Sequence, residues 1–304
     1  MTNLPAASLL SVVDTRSELT SVSLGWRTGS NRTPLRQELQ QATQVTSSGM
    51  WAPPVASEWT MSDGGECLTV ALEHGSLIDW LSRALEHARL LGAGPSYVSV
   101  VGTQRDITAL AGMGLSSPAL DQTRPIRSSL TQSKLQGYTK TVITGADPVG
   151  AAGAAETFVA ICLATAGREA LIPSVIERNG YQGIMQVSRG VSKGSPALTW
   201  QIAAPETSSS DMIEQCLDEV TGFRAALNAE SLARVKQFAQ NNLSRPWRSP
   251  RELARTLTQY QLMGWDGRLV QHPKEAIEQV DGPGVERALS ALMRPIRDVV
   301  GRRS

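Results

Sequence analysis

The stretch ECLTVALEHGSLIDWLSRALEHARLL, residues 66–91, contains a strand followed by a helix. Residues 66–73 are rich in aliphatic residues and predict a strand. Gly75 and Ser76 then interrupt the chain, and the apolar residues that follow recur at the i, i+4, i+8 spacing of a core-facing helix. These helical positions are Leu77, Ile78, Leu81, Leu85 and Ala88.

The same order of strand and helix returns in the second half of the chain. Residues 197–203 predict a strand, and residues 212–224 follow with a helical apolar stripe that includes Met212, Cys216 and Phe223. Thr69 and Thr199 hold matching strand positions in the two copies. Two copies of one α+β unit are the natural interpretation of this pattern.

The domain boundaries are predicted from composition. Residues 112–138 are rich in Gly, Ser, Pro, Thr and Gln and show little periodicity, which is typical of a linker. We therefore expect a first repeat over residues 1–111, a linker over 112–138, and a second repeat with a helical tail over 139–304.

Composition excludes several classes of function. A net charge of +1 gives no electrostatic reason to bind nucleic acid or an anionic membrane. Three scattered cysteines, Cys67, Cys162 and Cys216, are typical of reduced, buried thiols. No apolar run reaches the ~18 residues of a membrane span, and the first ten residues lack the basic region of a signal peptide. We expect a soluble, cytoplasmic protein.

The helical tail contains three spaced motifs. Glu230-Ser231-Leu232 with Lys236 opens one helix. Ser249-Pro250-Arg251-Glu252 combines a capping serine, a proline at the first helical position and a capping-box glutamate. A connector with two glycines leads to the last spaced set, and we expect Pro295 to end the final helix. The connector and the last set contain Gly264, Gly267, Ile277, Val280, Val285, Met293 and Pro295.

In their order and spacing these motifs resemble the second half of the pitrilysin/insulinase-type zinc peptidases, which include the mitochondrial processing peptidase subunits. The resemblance covers residues 139–296 best. It implies an α+β fold of two related α/β-roll repeats, each an antiparallel-rich sheet packed with helices, and a helical C-terminal tail.

Active members of that family carry His-x-x-Glu-His on one helix, where two histidines bind Zn²⁺ and the glutamate acts as general base. The corresponding interval here, between Gly29 and Cys67, has no histidine and offers Gln37, Glu38, Gln40 and Gln41 instead. The only histidines of the chain are His74, His87 and His272. We expect no catalytic residue and no metal site in this chain.

The family also uses an Arg and a Tyr in its second half to hold substrate. Alignment on Gly180 places Glu177 and Gly183 at those positions, so the Arg178 and Tyr181 found here are displaced by one and two residues. The resemblance nominates Arg178 and Tyr181 as substrate-binding residues. The alternative is that Arg178 is a solvated helix end and Tyr181 a packing residue.

The resemblance therefore implies a non-catalytic subunit of a heterodimeric zinc metallopeptidase. The zinc would lie in a partner subunit of the same family, and the two would enclose a peptide substrate. The first alternative is a structural or assembly protein that kept the fold without proteolytic work. The second is an independent enzyme with a non-metal site, although the sequence offers no nucleophile–base pair.

Overall fold

The computed structural model describes residues 7–14, 19–27, 54–62, 65–90, 94–113, 115, 128–146, 153–166, 170–192, 195–266 and 268–300. The chain divides into two compact units. Residues 1–122 and 244–271 form the first, and residues 123–243 and 272–304 form the second. Residues 244–271, which the sequence analysis grouped with the second repeat, thus belong to the first unit. The sequence of residues 35–45 could form a short polar helix, but this interval lies outside the described residues.

The first unit contains a five-stranded sheet with the strand order β1-β5-β2-β4-β3. β1 pairs with β5 in parallel, and the other neighbours are antiparallel. The apolar residues 9–13 and the period-two alternation of residues 21–26 predict β1 and β2, whereas Pro53 and Pro54 favour a loop where β3 follows. The strands are β1 (Ser8–Val13), β2 (Leu19–Arg27), β3 (Ala56–Ser62), β4 (Gly65–Glu73) and β5 (Tyr97–Gly102).

One face of this sheet is apolar and packs on helix α1 (Leu77–Leu90). Alternate residues of a strand point to opposite faces, so β2, β4 and β5 each give every second side chain to this core. Trp80 and Leu81 of α1 are fully buried against them. Trp26 stacks on Trp59 with 5.4 Å between ring centroids. The strand residues of this core are Val22, Leu24, Trp26, Leu68, Val70, Leu72, Val98 and Val100.

The other face of the first sheet carries hydroxyl groups at its centre. Thr69, Ser23 and Ser99 lie side by side in one cross-strand row. We call the face that contains these three residues the hydroxyl face. It is covered by helix α7 (Pro250–Leu262), whose Ser249 cap accepts a hydrogen bond from the Glu252 N–H as the sequence predicts.

Short helices complete the first unit. Helix α2 (Gln104–Ala109) continues into a 3₁₀ turn over Leu110–Met113. A second 3₁₀ turn (Arg245–Arg248) leads into α7, and α8 (Arg268–Gln271) follows it.

The second unit contains a four-stranded antiparallel sheet with the order β6-β7-β9-β8. β6 lies inside the segment predicted as a linker, so that prediction is wrong for residues 129–135. Ser and Thr there alternate with other residues along an exposed edge strand, which gives little apolar periodicity to detect. The strands are β6 (Ser129–Leu135), β7 (Tyr138–Ala146), β8 (Ile184–Ser192) and β9 (Ser195–Pro205).

The helices of the second unit pack on one face of its sheet. α3 and α4 contact β8, α5 contacts β9, and α10 contacts β7. Leu198, Trp200 and Ile202 of β9 are buried on this face. The remaining bounds are α3 (Ala154–Thr165), α4 (Leu171–Arg178), α5 (Ser209–Ala226), α6 (Ala229–Ser244), α9 (Pro273–Glu278) and α10 (Gly282–Val300).

Helix α10 continues past Pro295 to Val300, so the expectation that Pro295 ends it is wrong. Pro295 faces Gly145 of β7, where an added Cβ would come within 2.5 Å of the proline ring. On the same helix, Leu292 accepts a hydrogen bond from the Trp200 indole N–H at 2.9 Å. A proline at position 295 cannot donate to the carbonyl of residue 291, and the helix is held there by its contacts with the sheet.

We expect Trp200→Phe to lower the free energy of unfolding by about 2 kcal/mol, because the buried Leu292 carbonyl loses its donor. Urea titration of the purified chain measures this. Trp247→Phe is the matched control: its indole also donates to a backbone carbonyl, that of Val270 at 3.0 Å, but it is only part-buried. Water can replace that bond, so its loss is smaller. Equal losses in the two variants would contradict the prediction.

Candidate peptide-binding surface

Arg178 ends helix α4, and its guanidinium donates to the Glu219 carboxylate on α5 at 2.8 Å. Its side chain is 60% exposed. Beside this ion pair lies an open groove of about 550 Å³. Exposed carboxylates, amides and the Arg178 guanidinium form its rim, and apolar side chains form its floor. The lining residues are Val175, Arg178, Asn179, Gln215, Asp218, Glu219, Gly222 and Phe223.

Tyr181 lies beyond Gly180, in the connection from α4 to β8. Its backbone N–H donates to the Ile176 carbonyl at 3.0 Å, which fixes the turn. The pKa of its phenol is raised, first by partial desolvation and then by the negative charge of Asp211. The groove lining includes Arg178 but not Tyr181. The assignment of substrate binding to these two residues stays a prediction.

The face of the second sheet that points away from its helices is open to solvent. Gln186, Gln201 and Val142 form one cross-strand row, and Ser188, Thr199 and Thr144 form the next. Gln186 and Gln201 are exposed, and the other four residues are half-buried or exposed. Lys140 adds a positive charge on β7. We call this surface the open face; it includes residues 199, 201 and 203 of the strand that the sequence analysis singled out.

Among the described strands, those at a sheet edge pair with a neighbouring strand on one side. β3 is an edge of the first sheet, and β6 and β8 are the edges of the second. Large apolar side chains are exposed on or beside these edges: Met61 is 71% exposed on β3, and Ile184 is 56% exposed on β8. An extended peptide can add to such an edge through main-chain hydrogen bonds.

A buried carboxylate that the sequence analysis did not identify lies at one end of the first sheet. Asp106 accepts hydrogen bonds from Thr20 at 2.6 Å and Thr103 at 2.9 Å, and His74 Nδ1 lies 3.1 Å from the same oxygen. Burial raises the pKa of Asp106, but the bonds from Thr20, Thr103 and His74 outweigh it, so the pKa is lowered. The sequence signal was Thr103-x-x-Asp106, a helix-capping pattern.

Among the described residues, the His74–Asp106 pair is joined by no exposed nucleophile. The Thr20 hydroxyl, which touches both groups, belongs to a fully buried residue and donates to Asp106. The cluster instead connects the ends of β2 and β4 to the first turn of α2.

The cysteines are also poor nucleophiles. Cys67, Cys162 and Cys216 are buried and free. Desolvation raises the pKa of Cys162 and of Cys216 to about 12, so both thiols are protonated at neutral pH and unreactive while buried.

Within the described part of the chain, no three His, Cys, Asp or Glu side chains come together in a way that could hold a metal ion. The interval with Gln37, Glu38, Gln40 and Gln41 lies outside the described residues. Likewise, none of the described helices has both the length and the apolar character needed to cross a membrane.

Neither a family model nor a curated protein matches the sequence. Solved structures do match. A protease from Helicobacter pylori superposes with a TM-score of 0.61 at 7% identity, covering 93% of each chain. The inactive domain of an M16 peptidase from Pseudomonas fluorescens gives 0.54 at 10% identity, covering 94% of this chain and 93% of that one. A chain of complex III from Candida albicans gives 0.56 at 9% identity, covering 93% and 90%.

This chain has a pitrilysin-like fold. Identities of this size show the fold alone. The α+β class, the antiparallel-rich sheets packed with helices and the helical C-terminal region predicted from the sequence are confirmed. The sequence that adopts this fold has three histidines, His74, His87 and His272, and no two of them have the spacing of His-x-x-Glu-His.

We expect Asp106→Asn to destabilise the protein by about 2 kcal/mol at neutral pH, because hydrogen bonds to a buried charged group are lost. The pKa of Asp106 is lower in the folded state than its ordinary value of 3.8. Its contribution is therefore fully present above that value and disappears as the pH falls through the lowered folded-state pKa. Urea titrations at several pH values would show wild type and variant converging in acid.

The control is Asp79→Asn, since Asp79 forms an exposed ion pair with Arg83 at 2.9 Å. Exposed pairs contribute at most about 1 kcal/mol. A constant difference between wild type and Asp106→Asn from neutral to acid pH would contradict the assignment.

Proposed function

We propose that this chain is the non-catalytic subunit of a heterodimeric zinc metallopeptidase and completes the chamber that holds a peptide or precursor substrate. The zinc ion and its general base belong to the partner, a peptidase subunit of the same fold. This chain provides surface, not chemistry.

The observation that carries the proposal is a pitrilysin-like fold whose sequence has no His-x-x-Glu-His. Zinc catalysis needs at least three protein ligands and an open position for water. Glutamine, which stands in the interval where the histidines would be expected, is not a usual zinc ligand. The likeness to an M16 inactive domain supports the view that the fold exists without the metal site.

Two surfaces suit contact with a polypeptide. The open face presents hydroxyl and amide groups and the lysine Lys140. A polypeptide that binds there can form hydrogen bonds to a surface that carries little charge. The edges β3 and β8 offer main-chain groups, with Met61 and Ile184 as apolar neighbours. Main-chain pairing gives affinity for many sequences, and side-chain contacts give selectivity.

A second candidate is a structural or assembly protein that kept the fold without proteolytic work. One observation favours it: a chain of complex III from Candida albicans superposes over 93% of this chain. The two candidates differ in the partner, since only the first requires a subunit that carries zinc.

The deciding experiment is affinity purification of the chain from its native cell, followed by partner identification and a peptidase assay. We expect a stoichiometric partner that carries His-x-x-Glu-His, and cleavage only in the complex. A chelator should abolish cleavage and added Zn²⁺ should restore it.

Two controls keep the result specific. Glu→Gln in the partner's motif must abolish cleavage without breaking the complex, because it removes the general base and leaves the metal ligands. The isolated chain must be inactive with and without chelator. A partner without the motif and no cleavage would favour the assembly protein, and chelator-resistant cleavage by the isolated chain would overturn both candidates.

We further expect Arg178→Gln to raise the KM of the complex about fivefold, because one charge-assisted hydrogen bond to the substrate is lost. The free energy of unfolding should change by at most about 1 kcal/mol, since the Arg178–Glu219 pair is exposed. Steady-state kinetics and urea titration measure the two quantities.

Arg83→Gln is the matched control, because Arg83 also forms an exposed ion pair, with Asp79 at 2.9 Å. It should leave KM unchanged. If Arg178→Gln also leaves KM unchanged, Arg178 is only a solvated helix end.

A further inference from the structure

The first sheet is covered on both faces, and the two covers differ in chemistry. α1 packs on aliphatic and aromatic side chains, among them Leu24, Leu68 and Val98, which are fully buried. α7 packs on the hydroxyl face with both apolar side chains, such as the fully buried Leu253 and Leu257, and polar ones, Thr258 and Gln261. Separating an apolar contact from a sheet exposes hydrocarbon to water, whereas hydroxyl groups exchange their partners for water at small net cost. The buried face of α7 is therefore partly polar, whereas that of α1 is apolar.

The contact between α7 and the hydroxyl face is a hydrogen-bonded network. The Thr258 hydroxyl lies 2.9 Å from Ser99 Oγ and 3.2 Å from the Ser23 carbonyl oxygen. Ser99 donates to Gln261 Oε1 at 3.2 Å, and Ser23 Oγ lies 3.1 Å from Thr69 Oγ1. Apolar side chains of α7 are buried beside the network, with Leu262 packed on Cys67 and Tyr97.

One buried donor of this network, the amide nitrogen of Gln261, lacks a hydrogen bond among the described residues. The residue is 3% exposed. An unmade bond at a buried donor opposes docking, because the same nitrogen is solvated when the helix is away from the sheet.

The rim of the contact is a partly buried ion-pair cluster. Glu58 of β3 accepts from Arg251 at 3.0 Å and from Arg255 at 3.1 Å, and these side chains are between 28% and 38% exposed. Solvent still reaches these pairs and weakens them. At its other end the helix stops at Gly264, whose φ of +75° is a left-handed conformation that glycine adopts without strain.

We propose that α7 is a detachable cover of the first sheet. It opens from the hydroxyl face as a unit while the sheet stays folded on α1. Opening exposes the row Thr69–Ser23–Ser99 and the neighbouring Cys67. This inference concerns the first unit by itself and does not depend on the proposed function.

Cys67 reports this opening directly. It is 1% exposed, and its thiol contacts Thr60 at 2.8 Å beneath α7. Because Cys67 is buried, a thiol reagent reaches it only after α7 has moved away from the sheet. Burial also raises the pKa of the Cys67 thiol, which lowers its reactivity while the helix is in place. With Cys162→Ala and Cys216→Ala in the full chain, Cys67 is the single thiol. Its labelling rate with a disulfide reagent, measured across low urea concentrations, then gives the opening equilibrium.

We expect labelling in native buffer with a urea dependence well below that of global unfolding, as for a local opening. Gln261→Leu removes the unpaired amide and should slow labelling about fivefold. Gly25→Ala should accelerate it, because the new Cβ lies 2.4 Å from Thr258 Cγ2. Adding Thr258→Ser removes that methyl, keeps the hydroxyl and should restore the slower rate even if Gly25→Ala alone folds poorly.

Gly222→Ala is the control, since an added Cβ there meets nothing within 4 Å. It should not change the rate. The proposal is overturned if Cys67 is labelled only with the urea dependence of global unfolding, or if Gln261→Leu leaves the rate unchanged in native buffer.

Discussion

Helix α7 can lie against the first sheet only because residue 25 has no side chain. A Cβ at that position would come within 2.4 Å of the Thr258 methyl and 3.3 Å of Leu262. Glycine 25 thus sets the distance at which Thr258 reaches Ser99 and Ser23. That contact joins residues 244–271 to the first unit and gives the hydroxyl face its helix among the described residues.

The sequence predicted well those elements whose apolar residues repeat. The strand and helix of residues 66–91 and their second copy follow from periodicity, because each has one buried face. The helix that begins at Pro250 follows from its cap. The missed elements lack such a signal. β3 alternates Trp59 with polar residues after two prolines, and β6 exposes the polar residues 131–134.

The surface on which α7 packs could not be predicted, because periodicity indicates which residues of a helix are buried but not which element they contact. Its stripe includes Thr258 and Gln261, which fit the hydroxyls of residues more than 150 positions earlier in the chain. For the candidate site, the sequence supplied the residue types Arg178 and Tyr181 but not their geometry. It missed Asp106 because a buried carboxylate is recognised only when its three partners are in place.

Fold and catalytic chemistry depend on different numbers of residues. The fold rests on many apolar contacts spread over two sheets, so single changes in them are tolerated to some degree. A zinc site rests on a few side chains at fixed spacing, and loss of one ligand removes it. A peptidase-like scaffold can therefore lose catalysis completely and keep surfaces such as the open face.

The first unit is built from two separate stretches of the chain, and the ribosome synthesises them at different times. Ribosomes release the chain from the N-terminus, so β1 to β5 emerge early. Their cover, α7, is not made until residue 262 has been added, after all four strands of the second sheet. The first unit therefore starts to emerge before the second but receives its last helix after the second sheet has been synthesised. Until then, the nascent chain has its row of Thr69, Ser23 and Ser99 without α7 over it. A row of Ser and Thr is a surface that water can solvate for that time, whereas a row of leucines at the same positions would invite aggregation.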